Sequence, residues 1–214
     1  MLLMSTSKLK PAGPYHHGNL KGALLNAAAA LIAEAGPQSF TLREAARRAG
    51  VSHNAPYRHF RDKDALLASV AAQGFARLTR AMHKTARRGR TALDRWKLSG
   101  HAYIAFALRW PQHFYVMFDA ALDMAQYPEC AAAGESSFNA LVHFVADAQV
   151  EEGLAAGDPL PIALISWSMV HGLAKLAVNN RLPMKPAQVL TFYDNFVADV
   201  LQRGLAGASA VTRT

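Results

Sequence analysis

The chain has 214 residues, of which 51% are hydrophobic and 18% are charged, so it can fold around a sizeable core of its own. That composition excludes an intrinsically disordered chain. A single cysteine, Cys130, excludes an internal disulfide and a zinc site made of several cysteines. No long uncharged apolar run stands out, and we therefore expect a cytoplasmic protein with no membrane partner.

Positive charge is concentrated in the first half of the chain. The formal net charge is +8, with residues 1–97 holding 17 Lys and Arg against 5 Asp and Glu, and residues 98–214 holding 6 against 10. A basic half of +12 beside a half of −4 is typical of a polyanion-binding module joined to a second unit. Charge alone leaves nucleic acid and an anionic membrane surface open as partners.

Helical patterns run through the whole sequence, and no segment alternates as a half-buried strand would, so we predict an all-α fold. Residues 1–14 are predicted to form a flexible basic arm. Asn19 can cap a first helix, and Gly36 ends it.

Further capping signals follow along the basic half. Thr41 and Glu44 have the T-x-x-E spacing of a capping box and predict a short second helix, which Gly50 terminates. Asp62 can cap a long helix whose core face runs from Leu66 to Met82.

Residues 41–60 read TLREAARRAGVSHNAPYRHF and predict a helix-turn-helix unit. Two short helices cross steeply when a tight turn joins them, and Gly50 supplies that turn. The second helix can then enter a DNA major groove about 12 Å wide. Small polar side chains at its start suit base contacts, and the tyrosine and histidine at its end can donate to phosphates.

This segment resembles the DNA-binding domain of TetR/AcrR-family transcriptional regulators over residues 19–70. The matching motif is T-L-R-E-A-A-R-R-A-G-V-S, then Y-x-H-F at residues 57–60, then Lys63 and the Leu66-Leu67 pair. The resemblance implies that Ser52, His53, Asn54 and Ala55 contact bases, that Thr41, Tyr57, His59 and Lys63 contact phosphates, and that Val51 and Phe60 belong to the core.

Pro56 departs from the family pattern, which has leucine or a similar residue at this position in many members. If Ser52 is the cap, Pro56 removes the backbone hydrogen bond to it and biases Ala55 away from helical geometry. The helix can instead begin near Asn54, with Pro56 in its first turn. Both starts remain open from the sequence.

The second half of the chain is richer in aromatic residues. Arg87-Arg88-Gly89-Arg90 predicts a bend, and Pro111 divides the following stretch into two helices. Further helices are predicted over about 132–152, 159–180 and 187–203, with a flexible tail over 204–214.

The stretch Ser166–Leu173, S-W-S-M-V-H-G-L, is similar to a Trp…His-Gly pattern in the C-terminal domains of one subgroup of these regulators. In the family this domain holds an effector and forms the dimer through its last two long helices. The predicted effector pocket consists of Trp96, Tyr103, Phe106, Trp110, Phe114, Met117, Phe118, Trp167 and His171. The predicted dimer interface consists of Ile165, Met169, Leu173, Phe192, Phe196 and Val200. The alternative is that both groups form ordinary core.

We therefore predict a helix-turn-helix DNA-binding domain over residues 15–65 and a helical effector-binding and dimerisation domain over 66–203. The expected function is sequence-specific regulation of transcription by a homodimer on a roughly palindromic double-stranded operator. The expected mode is repression relieved by a small hydrophobic or aromatic effector, with activation, or regulation without an effector, as alternatives. No catalytic, cofactor or metal motif is found, so an enzyme with a basic module and a membrane-surface protein rank lower.

Overall fold

The computed structural model describes residues 20–36 and 39–206. Within these ranges the chain is helical and has no strand, which confirms the predicted all-α class. The helices are α1 (Leu20–Ala35), α2 (Leu42–Arg48), α3 (Lys63–Ala86), α4 (Ala92–Arg109), α5 (Pro111–Phe118), α6 (Pro128–Val150), α7 (Pro159–Val178), α8 (Pro186–Phe192) and α9 (Ala198–Leu205). The predicted arm over 1–14, the Asn19 cap and residues 207–214 of the predicted tail lie outside the described residues.

The N-terminal head consists of α1, α2, a 3-10 turn at Pro56–Arg58 and the start of α3. The predicted capping box is present, because the Glu44 N–H donates to Oγ1 of Thr41 at 3.2 Å and the Thr41 N–H donates to Oε2 of Glu44 at 2.7 Å. Asp62 caps α3 as predicted, by accepting the Ala65 N–H at 2.7 Å. The head is therefore held by local signals that the sequence displays.

The long helix α3 belongs to both halves of the molecule. Its 24 residues span about 36 Å, and it contacts α1 in the head as well as α4, α5 and α6 in the remainder. The predicted domain boundary between residues 65 and 66 falls in its first turn. The head is thus continuous with the helical bundle through one unbroken helix.

The last helical segment is docked on α4 through a π-helical turn, Tyr193–Val197, between α8 and α9. The buried Tyr193 hydroxyl donates to the Lys97 carbonyl oxygen at 3.0 Å. A Cβ atom at Gly100 would lie 2.1 Å from this hydroxyl oxygen, so the close approach requires glycine. The segment was predicted as one helix ending at residue 203, but helix α9 continues through Gly204 and Leu205. The predicted flexible tail therefore begins too early.

Helix α7 is, by length and composition alone, able to cross a membrane, and it is the one such helix in residues 20–36 and 39–206. One such helix does not contradict the expectation of no membrane partner, because a core helix of a folded domain passes the same test. The helix packs on α4 and α6 through the buried residues Ile162, Ala163, Ser166, Val170 and Ala174. Its opposite face is apolar and exposed, which bears on assembly.

Candidate DNA-binding surface and ligand cavity

The second helix of the predicted helix-turn-helix unit is a single 3-10 turn, Pro56–Arg58. No α-helix begins at Ser52, where Pro56 would lack the N–H needed for the hydrogen bond to the cap. The turn instead has Pro56 at its first position, where the missing N–H costs no hydrogen bond. Ala55 has helical angles (φ −61°, ψ −41°) despite preceding proline, and its N–H donates to the Ser52 carbonyl at 3.0 Å. The structure therefore favours a late start and shortens the predicted helix. We call residues 52–59 the recognition turn.

The recognition turn has a buried apolar side and an exposed polar side. Pro56 is buried, and Phe60, which follows the turn, is 2% exposed and belongs to the core as predicted. Every predicted base-contacting residue except the half-buried Ala55 is exposed, and so are Tyr57 and His59. Val51 is only partly buried. The fold thus exposes the predicted polar side chains together on one short segment.

The two remaining predicted phosphate ligands have competing contacts. The Thr41 hydroxyl and N–H both donate to Oε2 of Glu44, at 3.0 and 2.7 Å. A phosphate at this end of α2 therefore competes with the Glu44 carboxylate for the same donors. Lys63 is half-buried, with its ammonium 5.2 Å from the Phe40 ring centroid at the edge of the head's core.

Arg61, which no sequence motif singled out, connects the end of the recognition turn to the bundle. Its guanidinium donates to Oε1 of Gln126 at 2.8 Å and to the Tyr127 hydroxyl at 3.3 Å, and lies 5.2 Å from the Tyr127 ring centroid. Gln126 belongs to a 3-10 turn, Met124–Gln126, that precedes α6. Because 65 residues separate Arg61 from Gln126, no local spacing could have revealed the contact.

A cavity of about 370 Å³ lies between α3, α4, α6 and α7. Its wall is mainly apolar, and its one charged lining residue is Glu135, which is exposed. The lining residues are Phe75, Leu78, Met82, Tyr103, Phe118, Met124, Ala131, Gly134, Glu135, Ser137, Phe138, Leu141 and Trp167. Five aromatic rings therefore surround a space large enough for a small hydrophobic molecule.

Three of the nine predicted pocket residues, Tyr103, Phe118 and Trp167, line this cavity. His171 stands directly behind them, with Nδ1 2.8 Å from the Tyr103 oxygen. Trp110 lies away from the cavity, beside Arg77 and Arg109. The other four, Trp96, Phe106, Phe114 and Met117, are buried in the core and do not line the cavity. Their helical spacing indicates that they are buried, but it does not distinguish a residue of the packed core from one that lines a cavity.

A polar chain runs through the aromatic wall. The Trp167 indole N–H donates to the Tyr103 oxygen at 3.2 Å, which leaves the Tyr103 proton to be donated to Nδ1 of His171. Burial, with a smaller contribution from the positive charge of Lys175, lowers the pKa of His171, while Asp119 opposes the shift. Burial raises the pKa of Tyr103. The tyrosine and the histidine are therefore both neutral near pH 7.

The six predicted dimer-interface residues share one apolar surface on α7 and the α8–α9 segment. Ile165, Met169, Phe196 and Val200 are 50%, 45%, 60% and 65% exposed. Leu173 and Phe192 are half-buried and line the same shallow groove, together with Leu164 and Leu176. We call this surface the α7–α9 face.

No metal site stands out in the part of the chain that the structure describes. It holds no group of three or more His, Cys, Asp and Glu side chains that could bind an ion. Cys130 is buried, and burial raises the pKa of its thiol.

A buried histidine occupies the interface between α5 and α3. His113 is 2% exposed, its Nε2 lies 3.3 Å from Oε1 of Gln73, and its Nδ1 has no hydrogen-bond partner. Burial, and secondarily the positive charge of Arg77, lowers the pKa of His113 to about 4. The folded protein therefore holds this ring neutral.

Two family models match the chain. Residues 24–70 match the model described as bacterial regulatory proteins, tetR family. Residues 96–200 match the model described as the tetracyclin repressor-like, C-terminal domain. The first match covers most of the head and the start of α3, and the second extends from α4 into α9.

Individual proteins show the same similarity. An HTH-type transcriptional repressor of Mycobacterium tuberculosis is 37% identical over 73 residues, which are 34% of this chain and 39% of that relative. The chain thus spans well under half the length of this curated relative. A solved structure of a protein with unknown function from Rhodococcus sp. RHA1 is 35% identical, with a TM-score of 0.78, and the match covers 92% of this chain and all of that one. A tetR-family regulatory protein from Rhodococcus RHA1 shares the fold, at 18% identity and a TM-score of 0.69 over 89% of this chain and 99% of that one.

The low pKa of His113 makes stability depend on pH. Between pH 6.5 and about 4 the unfolded chain binds this proton and the folded one does not. The free energy of unfolding should therefore fall as the pH drops through this window, by at most about 1.4 kcal/mol per pH unit from this group. Urea unfolding of the wild type and of His113→Gln at pH 7.0 and 5.0 measures the difference. His143→Gln, at an exposed position on α6, should keep the wild-type pH dependence, and an unaltered dependence in His113→Gln would contradict the assignment.

Proposed function

The chain belongs to the TetR family of bacterial regulatory proteins, and on that premise we propose that it is a sequence-specific DNA-binding regulator of transcription. It works in the cytoplasm as a homodimer, represses transcription and leaves its operator when a small hydrophobic or aromatic molecule binds. The observation that carries the DNA-binding proposal is the recognition turn. It exposes polar side chains, is held in place by the buried Pro56 and Phe60, and lies in the basic half of the chain.

In the proposed complex the recognition turn enters the major groove. His53 and Asn54, both exposed, offer hydrogen-bonding groups to base edges, and Ser52 and Ala55 contact bases beside them. Tyr57, His59, Thr41 and Lys63 contact phosphates and fix the position of the head. Thr41 makes its contact by exchanging the Glu44 carboxylate for a phosphate oxygen at the start of α2.

The α7–α9 face supports the proposed homodimer. It carries large exposed apolar side chains on two adjacent elements, and a two-fold axis would place the face of one protomer against the same face of its partner. A second copy is favoured over a lipid surface as the occupant, because the cations that would meet anionic lipids lie mainly in the head and on α3.

The cavity supports a small hydrophobic or aromatic effector. Its size and its aromatic wall are typical of ligand sites, and the Tyr103–Trp167–His171 chain supplies a few neutral polar groups. A regulator is favoured over an enzyme because the lining holds one exposed carboxylate, Glu135, and no carboxylate pair suited to acid–base catalysis. Activation of transcription, the alternative to repression, would use the same DNA-binding and ligand-binding geometry and would differ in where the operator lies relative to the promoter.

The 3-10 turn Met124–Gln126 offers a route from the cavity to the head. Met124 lines the cavity, while Gln126, two residues on, accepts a hydrogen bond from Arg61 next to the recognition turn. Asp123 stiffens the turn by accepting from the Ala125 N–H at 3.1 Å and from the Gln126 amide at 3.0 Å. A ligand that displaces Met124 therefore favours a different position of Arg61, and the operator-binding population decreases.

DNA selection tests the proposed recognition. A random duplex library at near-physiological salt should yield a roughly palindromic consensus, with half-sites about 34 Å apart or slightly more. His53→Ala and Asn54→Ala should each change the preferred base at one position by about 1–3 kcal/mol, whereas Tyr57→Phe weakens all sequences alike. His143→Ala, at an exposed position on α6 far from the recognition turn in the sequence, is the matched control and should keep the wild-type consensus. Recovery of random sequence would refute specific binding, and an unchanged consensus in the 53 and 54 variants would refute their assignment.

Light scattering after size exclusion tests the dimer. Ile165→Glu or Phe196→Glu places a charge in the proposed apolar interface and should convert the dimer to monomer at micromolar concentration. Val150→Glu makes the same kind of change at an 83% exposed position outside the α7–α9 face and should remain dimeric. A monomeric wild type, or dimers in all three variants, would contradict this interface.

A cavity-filling variant tests the route from cavity to head. A Cβ at Gly134 would lie 3.4 Å from the Phe75 ring, so Gly134→Leu extends into the cavity as a ligand would. It should weaken binding to the selected operator about tenfold in fluorescence anisotropy, and less than about twofold when Arg61→Gln is also present. Gly204→Leu, at an exposed position on α9, should leave the affinity for the operator unchanged. An equal loss with and without Arg61 would eliminate this route.

A further inference from the structure

A second groove, of about 450 Å³, runs between α3 and α4 on another side of α3 from the cavity. Helix α3 presents Phe75, Leu78 and Met82 to the cavity, whereas it presents Arg77, Ala81 and Thr85 to this groove. Arg88, which follows the end of α3, also lines the groove. Alanines 81, 102 and 105 keep the groove open because their side chains are small, and Arg109 with Trp110 closes one end. We call it the α3–α4 groove.

The groove lies in the most positive stretch of the chain. Between Asp64 and Asp94 the sequence has six Lys and Arg residues and no Asp or Glu. The carboxylates nearby have other partners, since Asp194 pairs with His101 and Asp199 pairs with Lys97. None of Arg77, Arg88 and Arg109 forms an ion pair with a carboxylate of the described residues.

Two of these arginines share one indole. The Cζ atoms of Arg77 and Arg109 lie 4.8 and 5.5 Å from the Trp110 ring centroid, so the two guanidinium groups are within about 10 Å of each other. Neither guanidinium is paired with a carboxylate of the described residues, so an anion between them would be attracted by both. Planar guanidinium groups also match the oxygens of a phosphate in paired hydrogen bonds.

The charge of Arg77 acts on the protein interior. His113, whose ring centroid is 5.8 Å from that of Trp110, has its pKa lowered by burial first and by Arg77 second. An anion bound to Arg77 would offset the second contribution and raise this pKa. His113 therefore reports whether the groove is occupied.

We propose that the α3–α4 groove binds a small phosphorylated molecule of nucleotide size, such as a nucleoside diphosphate, whose phosphates meet Arg77 and Arg109. Arg88, which follows the C-terminal end of α3, lines the same groove and adds a third positive charge. The groove's volume is that of a small-molecule pocket, which favours a small molecule over a DNA duplex as its occupant. This site shares no lining residue with the cavity, so α3 would contact two separate ligand sites.

Isothermal titration calorimetry of the full chain at 150 mM salt, with ADP and with inorganic pyrophosphate, tests the proposal without operator DNA. Each probe should bind once per chain, and Arg77→Gln and Arg109→Gln should each weaken binding about tenfold. Arg80→Gln removes the same charge from an exposed position of α3 outside the groove and should change affinity less than about twofold. Because Arg109 is exposed, its variant keeps the test valid if Arg77→Gln fails to fold.

The His113 ring protons, followed by NMR during a pH titration, give a second readout. ADP should raise the pKa of His113 in the wild type and in Arg80→Gln, and leave it unchanged in Arg77→Gln. No binding of either probe at millimolar concentration would overturn the proposal. So would equal losses in all three variants, which indicate a diffuse electrostatic effect, or preferential binding of a non-operator duplex with the same arginine dependence.

Discussion

One uninterrupted helix is the constraint on which the rest of the molecule depends. Helix α3 starts beside the recognition turn and ends about 36 Å away at the start of the basic bend. No proline or other break relieves it, so a tilt of its distal half must move the head. The cavity and the α3–α4 groove both use its side chains, on different faces. Both candidate ligand sites can therefore act on DNA binding through the same rigid element.

A second connection determines which movements of that helix the head can follow. Arg61, the residue before the α3 cap, donates a hydrogen bond to Gln126 in the turn Met124–Gln126. Met124 of the same turn lines the cavity, so Arg61 links the head to the cavity wall. α5 also contacts α1, which gives the head a third support. A head held at three places can occupy few orientations, and a ligand that loosens one of them changes the balance among those orientations.

Local signals were the predictable part of the fold. The Thr41–Glu44 box and the Asp62 cap depend on neighbours three residues away, and the sequence displays both. The recognition turn was harder, because the effect of Pro56 depends on the tertiary anchor at Phe60. The cavity wall was harder still, since periodicity identifies an apolar face but not the helix opposite it. Phe138 on α6 and Arg61 became functional candidates only through contacts between distant segments.

The π-helical turn at residues 193–197 sets the orientation of the last helix, on which the geometry of the proposed dimer would depend. It inserts one residue into the last helix, so everything after it is rotated by about 100° relative to an unbroken helix. The Tyr193 hydrogen bond and Gly100 fix that rotation against α4. In a dimer joined through Phe196 and Val200, the direction of the symmetry axis would follow from it. The distance between two operator half-sites would then be encoded at the opposite end of the protein from the residues that read them.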